Sequence, residues 1–430
     1  MSWILFGLSA LVAVATLNAL WPVRRPWWLK LPSFNAGWFA NELPVHLLCG
    51  HTLVVVVLAG LGALDHRPGQ VGVALSVTAA VGLVVVAAAH PRAGNAMDEA
   101  LGRAIGPGGP SIADGAASPG PAVPWSWLVW PWLAWSRAPR VERVADVVYS
   151  TVAGRSLKLD LYLPTGRRYD CPVLVEIHGG GWISGDRRLE ARPLMTHMAA
   201  RGWVCVSVDY RVGRTATWPD QIIDVNSAMA WVREHVEEYG GDPDFVAITG
   251  GSAGGHLAAL AALAPDDVDY RPPSGTAAEI RACVPFYGPY DFDNSLDVHP
   301  PGEMRFVERF VVKVPLADDP TRYERGAPLA RVHRGAPAFL VVQGTSDNLV
   351  FPDESRAFVD KLRTTSRAVV AYAEIPRAQH AFDAVASVRT SHVITGVARF
   401  LTHVHSEYRQ TAPSSTPASA GTAGDRADRS

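Results

Sequence analysis

Cysteine is scarce in this sequence and is nowhere clustered. The four cysteines, Cys49, Cys171, Cys205 and Cys283, are scattered over 430 residues, and no C-x-x-C or Cys/His cluster occurs. Cys205 and Cys283 stand inside apolar runs, where cysteine usually behaves as a small buried hydrophobe. We therefore expect free thiols, with no structural zinc and no other metal site.

An excess of charge of either sign is also missing. The chain has 39 Lys and Arg against 41 Asp and Glu, so its formal net charge is −2. Such a chain has no overall positive field that could recruit a nucleic acid. We expect no nucleic-acid partner.

Charged residues are absent from three long stretches near the N-terminus. Residues 2–20 and 71–89 contain none, and residues 43–64 carry only two histidines. Each stretch approaches the roughly 20 apolar residues that a helix needs to cross a bilayer. The sequence thus predicts a transmembrane helical region over residues 1–90, with spans at about 2–20, 43–64 and 71–89. A cleaved signal peptide is an alternative for the first stretch, although it lacks a basic n-region. A buried soluble core is an alternative for all three.

Basic residues flank the predicted spans unevenly. Arg24, Arg25 and Lys30 follow the first span, and Arg92 and Arg103 follow the third. Placing these basic loops inside the cell predicts an outside N-terminus and a multi-pass membrane protein whose following domain lies on the cytoplasmic side.

Residues 91–140 differ in composition from their surroundings. Residues 91–124 are rich in Gly, Ala, Pro and Ser, which predicts a linker. Five tryptophans follow within residues 125–135, which we call the Trp-rich segment. Indole rings prefer the boundary between lipid and water, so this segment either docks on a membrane or packs against the next domain. At the other end of the chain, residues 409–430 lack an apolar period and predict a disordered tail.

Residues 141–408 show the pattern of a catalytic domain. Short runs rich in Val, Ile and Phe, such as 245–249 and 338–342, alternate with segments of helical spacing, such as 219–239. This alternation predicts an α/β fold with a mostly parallel sheet and helices on both faces.

A glycine-rich turn in this domain carries a candidate nucleophile. Residues 250–255 read GGSAGG and match G-x-S-x-G directly after one short strand and before an apolar helix. A serine on such a sharp turn is exposed at the top of the sheet, and Gly250 and Gly254 are needed where a Cβ would clash. We predict that Ser252 is the nucleophile, the alternative being an ordinary glycine-rich turn.

A second motif predicts an oxyanion hole. Residues 178–182 read HGGGW and follow a strand about 70 residues before the serine. Acyl transfer places negative charge on the former carbonyl oxygen, and glycines let backbone N–H groups approach it closely. We predict Gly179, Gly180 and Ala253 as donors, His178 as an anchor of the loop, and Trp182 as a wall of the substrate pocket.

The base and the acid are expected after the serine. His380 stands in the turn after the last strand, where it could take the serine proton. Asp347 follows the strand at 338–342, which gives the chain order Ser, Asp, His. Asp291, which follows the preceding strand, is the alternative acid. The predicted triad is Ser252, Asp347 and His380.

With these residues in place, residues 141–405 resemble the α/β-hydrolases of the hormone-sensitive-lipase type, and in particular their bacterial esterase relatives, including the feruloyl-esterase-like branch. The resemblance is carried by residues 178–182 with 184–186, 208–211, 239–243, 250–255, 344–347 and 379–380. It implies cofactor-free ester hydrolysis through an acyl-enzyme, with residues 208–211 supporting the oxyanion loop. One departure is Gly251, which stands where such relatives usually carry an acidic residue.

The sequence therefore predicts a membrane-bound esterase or lipase that acts on small-molecule or lipid esters, with membrane lipids as its surroundings. Residues 287–332 are the one sizeable insertion that we expect, as part of the acyl pocket or as a cap, and Tyr287 is a candidate pocket residue. The alternatives are an aryl-formamidase or peptidase-type amide hydrolase and, from a different class, a catalytically inactive membrane scaffold.

Overall fold

The computed structural model describes residues 1–106, 125–130, 141–166, 168–188, 190–213 and 216–411. The N-terminal helices are α1 (Ser2–Leu20), α2 (Lys30–Glu42), α3 (Pro44–Gly60), α4 (Arg67–Ala87), α5 (Arg92–Ile105) and α6 (Trp125–Val129). The helices of the catalytic domain are α7 (Arg192–Ala199), α8 (Asp220–His235), α9 (Ala253–Leu263), α10 (Pro301–Val307), α11 (Pro320–Gly326), α12 (Pro352–Thr365) and α13 (Val388–Thr411). The strands are β1 (Val141–Val152), β2 (Arg155–Pro164), β3 (Cys171–Ile177), β4 (Val204–Val208), β5 (Gly241–Gly251), β6 (Ile280–Phe286), β7 (Ala338–Gly344) and β8 (Val370–Ile375).

The strands form one eight-stranded sheet in the order β1-β2-β4-β3-β5-β6-β7-β8. The β1/β2 and β2/β4 pairs are antiparallel, and every later neighbouring pair is parallel. A two-residue turn joins β1 to β2, and Ala153 and Gly154 both take positive φ there (49° and 78°), which suits the twist of a hairpin. The mostly parallel sheet confirms the predicted α/β fold.

Helices cover both faces of the sheet, so the inner strands read as continuous apolar runs. Helix α9 is buried along its whole length, which explains why it consists of Ala, Leu, Gly and one His. Helices α8 and α9 contribute to the core on one face, and α5, α7 and α13 contribute to the core on the other. Because the neighbouring strands from β4 to β8 are parallel, their carboxyl ends, and the loops that follow them, lie on the same side of the sheet.

Helix α5 corrects the predicted linker. We expected residues 91–124 to be irregular, but Arg92–Ile105 form a helix that buries Ala93, Met97, Ala100 and Leu101 in the core shared with α13. The composition hid a helical repeat of small and apolar residues at every third or fourth position.

The remainder of residues 91–140 is described only in part. Residues 107–124 and 131–140, including the predicted interfacial Trp132 and Trp135, lie outside the described residues. Trp125, the first residue of α6, and Trp130, which follows the helix, are 71% and 52% exposed. The predicted tail begins later than expected, because α13 continues to Thr411, and residues 412–430 lie outside the described part of the chain.

Helices α1, α3 and α4 occupy the three predicted spans and form a bundle. Helix α1 packs closely on α4 at Gly72, where an added Cβ would lie 3.1 Å from the backbone of Phe6. The hydroxyls of Ser9 and Ser76 share a hydrogen bond of 2.8 Å between the same helices. Small residues and interhelical hydroxyl bonds are typical of helix contacts in lipid.

By length and composition, the described residues contain two helical segments able to cross a membrane, α1 (Ser2–Leu20) and the run Arg67–Ile105, which joins α4 and α5. A third span is added if the bent pair Trp27–Glu42 and Pro44–Gly60, which meet at 88°, counts as one. Within the described residues, most of the large exposed apolar side chains belong to residues 1–85. Large exposed apolar patches are typical of surfaces that contact a membrane or a protein.

The bundle is docked on the catalytic domain through a buried charge cluster. Arg389 of α13 is completely buried, donates to Asn41 Oδ1 at 2.6 Å and pairs with Glu42 at the end of α2. His90 Nε2 donates to the Asn41 carbonyl at 2.8 Å. Because a buried charge is tolerated only when it is paired and hydrogen-bonded, this cluster fixes how α2 sits on the domain.

We expect the Arg389→Leu variant to destabilise the protein by about 3–5 kcal/mol, because it leaves Glu42 buried without a partner. Thermal unfolding of the detergent-solubilised full chain measures the loss. Arg399→Leu on the same helix is the matched control, since Arg399 pairs with the exposed Asp98 and should cost at most about 1 kcal/mol. Adding Glu42→Leu to Arg389→Leu should restore much of the stability, and equal losses for Arg389→Leu and Arg399→Leu would contradict the docking role.

Candidate active site

Ser252 lies on a strained turn between β5 and α9. Its backbone takes φ 56° and ψ −121°, and its N–H donates to the Phe286 carbonyl at 3.0 Å. A Cβ added at Gly254 would lie 1.9 Å from the carbonyl oxygen of Ile177, so only glycine fits there. This is the geometry that the G-x-S-x-G motif predicts, with the serine lifted out of the sheet.

His380 and Asp347 meet at the carboxyl ends of the neighbouring strands β8 and β7. The imidazole Nδ1 donates to Asp347 Oδ2 at 2.7 Å, and the carboxylate of Asp347 is fully buried. Asp347 Oδ1 also accepts from the N–H groups of Leu349 (2.8 Å) and Val350 (2.9 Å). These bonds fix the carboxylate, which in turn fixes the imidazole tautomer that carries its proton on Nδ1.

The carboxylate of Asp291, the alternative acid, forms its hydrogen bonds within its own loop. Its carboxylate accepts from the Ser295 N–H and hydroxyl at 2.9 and 2.7 Å and from the Leu296 N–H at 2.9 Å. It therefore caps its own loop, and it is Asp347 that the structure places on His380. No hydrogen bond joins Ser252 Oγ to His380 within the described residues, a bond that often tightens only when a substrate binds.

The predicted oxyanion loop is anchored from beneath. The ring of His178 stacks on Tyr210 with centroids 4.3 Å apart, and the Tyr210 hydroxyl donates to the His178 carbonyl at 3.0 Å. Gly180 has φ 111°, and a Cβ there would lie 2.2 Å from the Ser184 carbonyl oxygen. The anchoring roles predicted for His178 and for residues 208–211 are confirmed in this respect.

The three predicted oxyanion donors are not equivalent. The Gly179 N–H donates to Glu190 Oε2 at 2.5 Å and is therefore engaged. The N–H groups of Gly180 and Ala253 have no hydrogen-bond partner within the described part of the chain. Ala253 is the first residue of α9, where backbone N–H groups lack an intrahelical acceptor. A Cβ at Gly179 would lie 3.2 Å from Ser252 Cβ, so the loop runs directly beside the serine.

Behind the serine lies an acidic cluster that the sequence analysis missed. Glu176, Glu190 and Asp383 line a small cavity together with Tyr287 and the glycines before Ser252. Burial raises the pKa of Glu190 to about 7, and it also raises the pKa of Glu176 and of Asp383 above their usual values. A signal was present, because Glu176 interrupts the apolar run of β3 just before the HGGG motif.

Tyr287 and Trp182, the two tentative pocket residues, both lie inside the protein. Tyr287 donates its hydroxyl to Asp383, and its ring centroid lies 4.6 Å from that of His380. A Cβ at Gly251 would lie 2.8 Å from the Tyr287 hydroxyl, so the Tyr287–Asp383 pair fills the space of the missing acidic side chain. Trp182 donates to His256 Nδ1 at 3.2 Å within an aromatic core, and its pocket role stays a prediction.

The high pKa of Glu190 predicts a pH-dependent stability. The folded protein holds the Glu190 proton up to about pH 7, whereas an unfolded chain releases it near 4.5, so the unfolding free energy falls between these values as the pH rises. Glu190→Gln keeps an acceptor for the Gly179 N–H but removes the titration. We expect the melting temperature of the wild type to fall relative to that of Glu190→Gln between pH 5 and 8. Parallel melting curves across that range would contradict the assignment.

Within the described residues, no group of three or more His, Cys, Asp and Glu side chains could hold a metal ion. The four cysteines are free.

Comparison with known proteins identifies the family of the chain. A family model described as BD-FAE matches residues 159–362. The chain is 37% identical over 418 residues to the probable carboxylic ester hydrolase LipM of Mycobacterium tuberculosis, covering 92% of each chain. It is 43% identical over 264 residues to the esterase LipQ of the same organism, covering 60% of this chain and 62% of LipQ.

Among solved structures, a thermophilic esterase of Thermogutta terrifontis with bound propionate superposes with a TM-score of 0.50 at 28% identity, over 63% of this chain and 93% of that one. Because the alignment with LipM covers 92% of this chain, it extends beyond the catalytic domain into the N-terminal region. The chain therefore belongs to the carboxylic ester hydrolase family that includes LipM, and it is an α/β-hydrolase that cleaves carboxylic esters.

Proposed function

We propose that ester hydrolysis proceeds through an acyl-enzyme on Ser252, with His380 as the general base and Asp347 as its partner. The single observation that carries this proposal is the 2.7 Å bond between His380 Nδ1 and the buried Asp347 carboxylate, in a protein whose Ser252 has strained backbone geometry on the turn between β5 and α9.

In the first half of the reaction, Ser252 Oγ attacks the ester carbonyl and passes its proton to His380 Nε2. Asp347 stabilises the imidazolium, and the N–H groups of Ala253 and Gly180 receive the negative charge on the former carbonyl oxygen. The imidazolium then protonates the leaving alcohol. Water repeats the sequence in the second half and releases the acid.

Gly179 has a different place in this scheme than the one we expected for it. Its N–H is held by Glu190, so we assign it to shaping the loop that presents Gly180 to the oxyanion. The raised pKa of Glu190 suits this position, because a neutral carboxyl beside the oxyanion opposes its charge less than a carboxylate would.

Substitution of the triad should separate the two candidate acids. Asp347→Asn should lower kcat about 10⁴-fold by favouring the wrong imidazole tautomer, and Ser252→Ala should lower it about 10⁶-fold. Asp291→Asn, the matched control, should keep kcat within a few-fold. Turnover of nitrophenyl esters measures these changes. Near-full activity of Asp347→Asn together with loss of activity in Asp291→Asn would refute Asp347 as the acid. Failure of a fluorophosphonate probe to label the wild type would refute Ser252 as the nucleophile and favour an inactive scaffold.

We further propose that α1, α3 and α4 lie in a membrane, with the catalytic domain on its cytoplasmic side. Arg24 and Lys30, which follow α1, lie against the catalytic domain: Arg24 donates to the Thr345 carbonyl at 3.2 Å, and Lys30 pairs with Glu303. The basic residues and the catalytic domain are thus on the same side of the bundle, as the positive-inside rule requires of a cytoplasmic domain. Small-molecule or lipid esters are the proposed substrates.

The proposed topology can be tested by chemical labelling. In a variant with its native cysteines replaced by serine, a cysteine at position 65, between α3 and α4, should react with an impermeant maleimide added to intact cells. A cysteine at Arg188, in an exposed loop of the catalytic domain, should react only after the cells are lysed. The opposite pattern would reverse the orientation, and release of the protein by alkaline carbonate would exclude the spans.

A further inference from the structure

The N-terminal region contacts the loops that carry the acid and the base. Asn348, next to Asp347, donates from Nδ2 to the carbonyls of Val23 and Lys30 at 2.8 and 3.0 Å. On the other loop, Gln379 donates to the Asn18 carbonyl at 2.8 Å, and the Ala381 carbonyl accepts from Trp38 Nε1 at 3.1 Å. Both immediate neighbours of His380, and the residue after Asp347, are therefore held by residues 18–38.

Helix α2 also places an aromatic ring on the catalytic imidazole. The rings of Phe34 and His380 meet edge to face, with centroids 6.2 Å apart and planes at 81°. Tyr287 contacts the same imidazole from the protein core at 4.6 Å. His380 thus lies between one ring from the catalytic core and one ring from the N-terminal region.

Helix α10 continues this enclosure toward the oxyanion loop. Lys30, at the start of α2, is buried and pairs with Glu303 of α10. Trp27 packs on Gly302, where an added Cβ would lie 2.2 Å from the indole. At the other end of α10, the Phe306 ring would lie 3.7 Å from a Cβ at Gly181. Helix α2 and helix α10 together therefore span the distance from His380 to the oxyanion loop.

The outer side of α2 and the turn before it is apolar. Trp28, Leu31 and Phe39 are 60%, 57% and 61% exposed. The helix meets α3 at 88°, so it runs across the direction of the proposed spans. A helix with this orientation and an exposed aromatic and aliphatic face is typical of the boundary between lipid and water.

From this arrangement we propose that α2 is a wall of the substrate pocket, that Phe34 determines acyl-chain specificity, and that the substrates are esters whose hydrocarbon chains enter from the membrane past the exposed apolar side of α2. The proposal rests on the proposed triad and membrane location. Phe34 contacts the imidazole with its ring edge and supplies apolar surface for the acyl chain of the substrate, while Leu31 and Phe39 face the lipid.

A chain-length series of nitrophenyl esters tests this role on the full-length, detergent-solubilised enzyme. For Phe34→Ala we expect the ratio of kcat/KM for the octanoate to that for the acetate to fall about tenfold or more, since the variant loses the apolar surface against which only the longer acyl chain is buried. The loss should appear mainly in KM. Phe34→Leu should restore most of the ratio.

Phe39→Ala is the matched control, because Phe39 lies on the same helix with its side chain exposed, and its ratio should equal that of the wild type. An equal loss of kcat/KM for all chain lengths in Phe34→Ala would show a structural role only and would overturn the proposal. An unchanged ratio would also overturn it. A wild type that a fluorophosphonate probe does not label would instead refute the triad, so the two failures are distinguishable.

The entry route is tested with the enzyme in phosphatidylcholine liposomes. A palmitate ester dissolved in the same bilayer should be hydrolysed faster than the same amount of ester presented in separate liposomes that lack the enzyme. Equal rates would show that the substrate arrives through water and would overturn entry from the membrane.

Discussion

The hydrogen bond between His380 and Asp347 is the interaction on which the rest of the site depends. It forms between two loops, and loops hold a geometry only when their surroundings fix it. Here part of the surroundings comes from outside the catalytic domain, because Asn348 and Gln379 bond to backbone carbonyls of residues 18–30. The proposed catalytic pair is thus positioned both by the sheet, which brings β7 and β8 side by side, and by the N-terminal region, which fixes the loops that follow them.

A second constraint on the site is the burial of several acidic side chains. Three carboxyl groups, Glu176, Glu190 and Asp383, share one cavity behind the serine, and burial raises the pKa of each. Ordinary cores exclude such groups, so their presence next to the oxyanion loop indicates a local use. One such use is the hydrogen bond that Glu190 accepts from the Gly179 N–H. This bond fixes the turn of the loop and leaves the N–H of Gly180 available as a donor.

The sequence was most informative for motifs that only one backbone conformation can accommodate. The GGSAGG turn, the HGGGW loop and the strand and helix alternation predicted the serine, the loop and the α/β fold, because each requires glycine or an apolar run at fixed positions. It favoured Asp347 over Asp291 on the context of the motif alone, because both residues follow strands, whereas the hydrogen bonds of each carboxylate separate the two. The sequence analysis missed helix α5 because its many Gly and Ala residues resemble the composition of a linker. It missed Phe34 because the contact with His380 joins residues 346 positions apart, and a local sequence pattern cannot predict so distant a contact.

The buried pair of Arg389 and Glu42 also has a consequence for how the enzyme is made. Glu42 is synthesised with the first apolar helices, whereas Arg389 is synthesised almost 350 residues later, on the helix that completes the catalytic domain. The N-terminal helices therefore leave the ribosome long before the residue that pairs with Glu42 is made. Proteolytic removal of residues 1–42 from the finished protein would leave Arg389 buried without its anion and would remove the contacts of residues 18–38 with the loops of Asp347 and His380, so we expect such a truncated hydrolase to lose activity.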